Sequence, residues 1–303
     1  MALTSINIAG VLGTAKHRLL AAASLVGLFG GGAAQAGEGL AKPWQLGLQD
    51  AATPVAEFIH SFHDGLLITI TVITLFVLAL LVIIVAKFNA KANPVPSKTT
   101  HHVGLEIAWT LIPVLILVVI AIPSFRLLKQ QIAAPPADLT IKLTGNAWYW
   151  KFEYPKDAGG GFEFDVRMMT ESDIAEAVKA GKGKKEDYHR LLSVDNEAVV
   201  PVNKNIVVQV TSADVLHAFA VQPFGVKVDA VPGRLNQTWF RATKEGVYYG
   251  QCQELCGKDH AFMPLAIRVV SEEKYKAWLA EAKKKFASTD PAVRTADNTV
   301  STR

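Results

Sequence analysis

The stretch Gly250–Pro264, GQCQELCGKDHAFMP, holds both cysteines of a 303-residue chain, with a histidine and a methionine close behind. Three residues separate Cys252 from Cys256; His260 follows after three more and Met263 after another two. Thiolate, thioether and imidazole are three of the four ligands of a blue-copper site, which needs one further imidazole. The upstream segment SADVLHAFAV offers His217 in a predicted strand. A mononuclear site uses a single thiolate, so the second makes a binuclear copper centre the leading reading. In it Cys252 and Cys256 bridge two ions, His217 and His260 are terminal imidazoles, Met263 is a weak axial ligand and the carbonyl of Glu254 fills the remaining position. A Cys252–Cys256 disulfide and a structural Cys₂His₂ zinc site stand beside it as alternatives. Covalent haem has no C-x-x-C-H to attach to.

The segments around this loop are short, rich in β-branched and aromatic residues, and punctuated by Gly, Pro, Asn and Asp. LTIKLTGNAWYWKFEYP, FEFDVRM, AVVPVNKNIVVQVTSAD, VKVDAVPG, LNQTWFRAT, GVYYGQC and PLAIRVVS predict an antiparallel sandwich or barrel over 138–270. TESDIAEAVKAGKGKKEDYHRLL interrupts the pattern with helical spacing and a Gly/Lys turn, as a surface excursion. A helix is expected over 271–286, with acids early and lysines late, and a polar, disordered tail over 287–303.

Half of the residues are apolar, more than a soluble chain of this length needs. Lys16 and Arg18, an apolar run from Leu19 to Phe29 and Ala34-Gln35-Ala36 read as a signal peptide over 1–36, followed by an external segment over 37–64. GLLITITVITLFVLALLVIIVA carries no charge and predicts a membrane span over 65–88; a second, with Pro113 and Pro123 inside it, is predicted over 105–128. Lys87, Lys91 and Lys98 lie between them with one acid, Glu106, which places the 89–104 loop in the cytoplasm and both termini outside. Net charge of +4 is mild and gives no ground for a nucleic-acid partner.

Together with PWQLGLQDA, EIAWTLIPV, WYWKFEYP and DAVPGRLNQTWF, the cysteine motif resembles subunit II of haem–copper cytochrome c oxidases, and the likeness extends to AIRVVSEEKY. The resemblance implies a two-helix transmembrane hairpin carrying an all-β, cupredoxin-like Greek-key domain with a CuA centre. His217, Cys252, Glu254, Cys256, His260 and Met263 match the CuA ligands. The Glu254 side chain matches a magnesium ligand shared with subunit I, Trp148 the point of electron entry from cytochrome c, and Glu106 the mouth of a proton pathway. Glu153, Asp165, Asp195 and Asp214 are candidates for a docking face toward cytochrome c. The implied function is transfer of electrons from cytochrome c, through two copper ions, to haem held by subunit I, where oxygen reduction is coupled to proton pumping. Implied partners are subunit I, subunit III and the membrane, with the chain in a bacterial inner membrane and its C-terminal domain in the periplasm. Gly145-Asn146-Ala147 departs from the family's usual Gly-His-Gln. A copper-free quinol-oxidase-type subunit is the competing function, against which the cysteine pair counts.

Overall fold

Thr53 and Pro54 start the first long helix. The Thr53 hydroxyl accepts from Ala56 N at 3.0 Å, and Pro54 arrives with its φ already helical. This helix, α1, runs Pro54–Lys87 in the computed structural model, which describes residues 39–286. The expected signal peptide at 1–36 and the polar tail at 287–303 lie outside the described residues.

Hydropathy places the span at 65–88, yet the helix begins at Pro54 rather than Gly65 because a cap, not the apolar run, decides where it starts. Its 34 residues make a rod about 51 Å long against a hydrocarbon core of about 30 Å. The first turns therefore belong outside the bilayer. The second helix, α2, spans Val103–Ile132, with His102 as its cap and Pro113 and Pro123 inside it. The two helices lie against each other and expose their apolar side chains, as a lipid-facing hairpin must.

Ten strands follow: β1 Leu139–Asn146, β2 Tyr149–Tyr154, β3 Phe162–Val166, β4 Ala198–Pro201, β5 Ile206–Ser212, β6 His217–Val221, β7 Val226–Ala230, β8 Asn236–Phe240, β9 Gly246–Cys252 and β10 Pro264–Val270. They form two five-stranded sheets, ordered β3-β2-β1-β5-β8 and β4-β10-β9-β6-β7, around one hydrophobic core. β1 alternates buried and half-buried residues along its whole length, the period of a strand with one face inward. Pairing is antiparallel except for β1 with β5 and β4 with β10, which are parallel. A purely antiparallel arrangement fails there because each of these pairs joins strands from separate passes of the chain, returned in the same direction by crossovers between the sheets.

The excursion after β3 forms a short helix, α3, at Glu171–Lys179, started by a Thr170–Asp173 capping box. The last helix, α4 Glu272–Phe286, closes the core beside β3. Trp278 tilts onto Tyr154 with ring centroids 5.1 Å apart, and Phe286 stacks on Phe164 at 4.7 Å. Phe152, Tyr154 and Phe164 are buried, each ring contributing roughly 1.5–3 kcal/mol of hydrophobic stabilisation.

The hairpin is joined to the β-domain at both outer ends. At the start of α1, Thr53 Oγ1 donates to Phe224 O at 2.8 Å, while Ala52 N donates to Pro223 O and Ala52 O accepts from Thr243 N. Near the end of α2, the indole of Trp239 donates to Gln130 O at 3.1 Å. Gly225 permits the close approach of α1: a Cβ there would stand 2.8 Å from Ile59 Cδ1.

Candidate metal centre

β6, β9 and the loop from β9 to β10 bring the donors together. Phe219 lies opposite Cys252 in the antiparallel β6–β9 pair. His217 is two residues from Phe219, so strand parity turns its imidazole to the same face as the Cys252 thiol. The loop then carries Cys256, a 3₁₀ turn at His260–Phe262 and Met263, before Pro264 opens β10.

The two sulfurs stand 3.9 Å apart and both thiols are free. This is far beyond the roughly 2.05 Å of a disulfide, so the disulfide alternative does not describe this geometry. His217 Nδ1 is 3.8 Å from Cys252 Sγ, and His260 Nδ1 is 3.5 Å from Cys256 Sγ. Met263 Sδ lies 3.5 Å from Cys256 Sγ, and the Glu254 carbonyl 3.3 Å from Cys252 Sγ. Ligand atoms of His217, Cys252 and Cys256 all fall within 4.8 Å of one another. Two metal–thiolate bonds of about 2.3 Å together exceed the gap between the sulfurs, so an ion on either side of the S–S line reaches both. With one imidazole beside each sulfur and a thioether at hand, the donors fit a soft metal pair; structural zinc would leave Met263 unused.

Asp214, which the sequence offers only as a docking acid, sits against the cluster itself. Its Oδ1 accepts from His217 Nε2 at 2.9 Å and its Oδ2 from Ala147 N at 2.7 Å. It therefore fixes the imidazole with Nδ1 toward sulfur, the arrangement by which carboxylates orient metal-binding histidines. Burial raises the Asp214 pKa, but His217 and two backbone donors outweigh it and leave the carboxyl below its ordinary range. Burial likewise opposes protonation of His217, while Cys252 and Asp214 raise its pKa above the usual value. The Asp-x-x-His spacing is the one local hint of the pair, and it takes the turn into β6 to bring the two side chains together. The other acids proposed for docking are also engaged. Glu153 pairs with Lys142, Asp165 with Arg167, and Asp195 accepts from the backbone of Arg167 and Asn196.

Trp148 is half-buried at the rim of the cluster. Its indole donates to Cys256 O at 3.0 Å, and its ring lies against Gly257, where a Cβ would come within 3.0 Å of it. Glu106 is exposed in the first turn of α2, far along the chain from the cluster.

The thiols are electrostatically unequal. Burial works against ionisation of Cys252, but His217 and backbone hydrogen bonds at Glu254 and Ala218 prevail and draw its pKa down to about 6. Burial, and next the adjacent Cys252 thiolate, push Cys256 up to about 12. Near pH 7 the metal-free site thus carries one thiolate and one thiol, and an ion that claims both sulfurs must expel the Cys256 proton. Apparent copper affinity is expected to rise with pH by about tenfold per unit for each proton that binding expels: at least that much up to about pH 9 from Cys256, more through the raised range of His217, and more again below about pH 6, where Cys252 protonates as well. Chelator competition across that range measures it; a flat profile would exclude binding through both thiolates.

Comparison with known proteins gives consistent matches. The family model for the cytochrome c oxidase subunit II transmembrane domain matches residues 41–127, and that for the subunit II periplasmic domain matches 139–270. A probable cytochrome c oxidase subunit 2 of Rickettsia bellii is 49% identical over 246 residues, covering 81% of this chain and 87% of its own length. Cytochrome c oxidase subunit 2 of Cereibacter sphaeroides is 47% identical over 257 residues, 81% of this chain and 82% of its own. The crystal structure of the periplasmic domain of Bradyrhizobium japonicum cytochrome oxidase subunit II is 57% identical, covering 51% of this chain and 99% of that one, with a TM-score of 0.44.

Proposed function

The chain belongs to the cytochrome c oxidase subunit II family, and from that premise we propose that it receives electrons from a cytochrome c at a binuclear copper centre and delivers them to haem in subunit I. It is a membrane-anchored, two-pass subunit of an oxidase. We place it in a bacterial inner membrane with the β-domain in the periplasm, because the lysine-rich loop marks the cytoplasmic side.

The observation that carries the reading is the meeting of two unbonded thiols, each beside its own imidazole. Copper held there would supply a one-electron store, and the residues that would hold it are Cys252, Cys256, His217, His260, Met263 and, through its carbonyl, Glu254. Asp214 holds His217 in its binding orientation. Trp148 links the protein surface to the main chain of a bridging cysteine through one hydrogen bond, which suits a point of electron entry. The Glu254 side chain is assigned to magnesium at the boundary with subunit I, and Glu106 to proton uptake. Glu153, Asp165 and Asp195 are assigned to steering a basic cytochrome c.

The oxidase complex containing this chain, purified from its membrane, is expected to hold two coppers per copy of the chain in this centre. Both thiols should resist alkylation, and reduced cytochrome c should reduce the centre before subunit I haem. A chain without copper and with an intact disulfide would leave a structural subunit of the quinol-oxidase type instead.

A further inference from the structure

Trp148 and Trp150 lie two residues apart, and both indole N–H groups donate to main-chain carbonyls of proposed ligand residues. Trp148 holds Cys256 O and Trp150 holds Met263 O, each at 3.0 Å. The two indoles thus grip the ligand loop at its first and last sulfur residues. Trp150 does more: its ring meets the His217 imidazole edge-on, centroids 5.9 Å apart at 62°. It is fully buried, as is His217, and Met263 nearly so. One rigid side chain on β2, in one sheet, thereby touches two proposed ligands carried by the other sheet.

We propose that Trp150 is a positioning residue that tunes the metal centre, setting the placement of the Met263 thioether and the seating of His217. A buried carbonyl deprived of its donor carries a desolvation cost that a flexible loop relieves by moving. The loop from Cys256 to Met263 has one such donor at each end. Freed at Met263, its thioether drifts from the bridging sulfur, now 3.5 Å away. Axial-ligand strength is a principal control on copper potentials, and a weaker thioether favours the reduced form. The ring contact with His217 limits imidazole rotation in addition to its Asp214 hydrogen bond.

This inference rests on the copper reading above, and the test separates them. In the intact oxidase complex, Trp150→Phe keeps an aromatic ring but removes the N–H. Spectroelectrochemical titration of the copper centre should show the equilibrium shifted at least about tenfold toward the reduced form, which is about 59 mV for one electron, with a changed near-infrared band. Trp150→His, which restores a ring N–H, should recover part of the shift. Phe152→Leu, a packing change at the next inward position of β2, should leave potential and band at the wild-type values. Wild-type complex without copper would remove the copper reading itself. Two coppers in the wild type with unchanged potential and band in Trp150→Phe would overturn only the role of Trp150. Failure of both Trp150 variants to accumulate where Phe152→Leu accumulates would also overturn it, in favour of plain packing.

Discussion

Cys252→Ser is expected to leave at most one copper per chain and to lower cytochrome c oxidation by more than about a hundredfold, since even loss of a group one bond removed from a metal costs about 10–100-fold. The serine hydroxyl is nearly isosteric with the thiol but stays protonated at neutral pH and offers a hard oxygen to a soft metal. With Cys252 gone, His217 loses the sulfur 3.8 Å from its Nδ1 and retains only Asp214 at its other nitrogen. Cys256 also loses the neighbouring thiolate that helps hold its pKa up, so it should alkylate more readily in the metal-free variant. Metal analysis, the near-infrared spectrum and turnover on one preparation decide the matter. A full binuclear centre in Cys252→Ser would remove that residue from its bridging role and with it the proposed function.

The second large effect is predicted at a residue with no metal-binding group. A Cβ on Gly145, in β1, would stand 2.8 Å from Cδ2, 3.0 Å from Cγ and 3.1 Å from Cβ of His217. The imidazole has little room to yield, with the Trp150 ring on it and the Asp214 carboxylate at Nε2. Gly145→Val should therefore push His217 off its sulfur partner and lower copper affinity by about 10–100-fold, while overpacking costs the domain about 1–3 kcal/mol. Gly47→Ala, where nothing lies within 4 Å of the added carbon, is the control and should bind as wild type. Normal copper affinity in Gly145→Val would mean that His217 can be seated elsewhere and is not bound as described.

Gly145 marks a limit on what local sequence encodes. The spans are legible because an uncharged apolar run of about 20 residues matches the thickness of a bilayer. The donor cluster of the 252–263 loop is legible because soft donors at short spacing are chemically specific. Asp214 reads as a surface acid, and its contact with His217 depends on the turn that leads into β6. Trp150 is legible as a buried strand residue from the alternation in WYW, but not as a neighbour of Met263, more than a hundred residues later. The parallel pairings and the approach of Gly145 to His217 depend on how two sheets face each other, which no local pattern encodes. The start of α1 escapes for the opposite reason: Thr53-Pro54 is a local cap signal, hidden from a hydropathy reading by the polar residues that follow.

The two junctions between hairpin and β-domain bear on how such a protein could work. A redox domain on a single flexible stalk would have to swing between donor and acceptor, and its turnover would depend on stalk length. Here the chain enters the bilayer from a pinned Ala52-Thr53 and leaves it through Gln130, pinned in turn to Trp239. Two separate attachments suppress rotation about either one, so the fold holds the cysteine loop in a fixed position relative to the two helices. On the function proposed above, such a geometry suits tunnelling over a constant gap, with the electron donor alone doing the travelling.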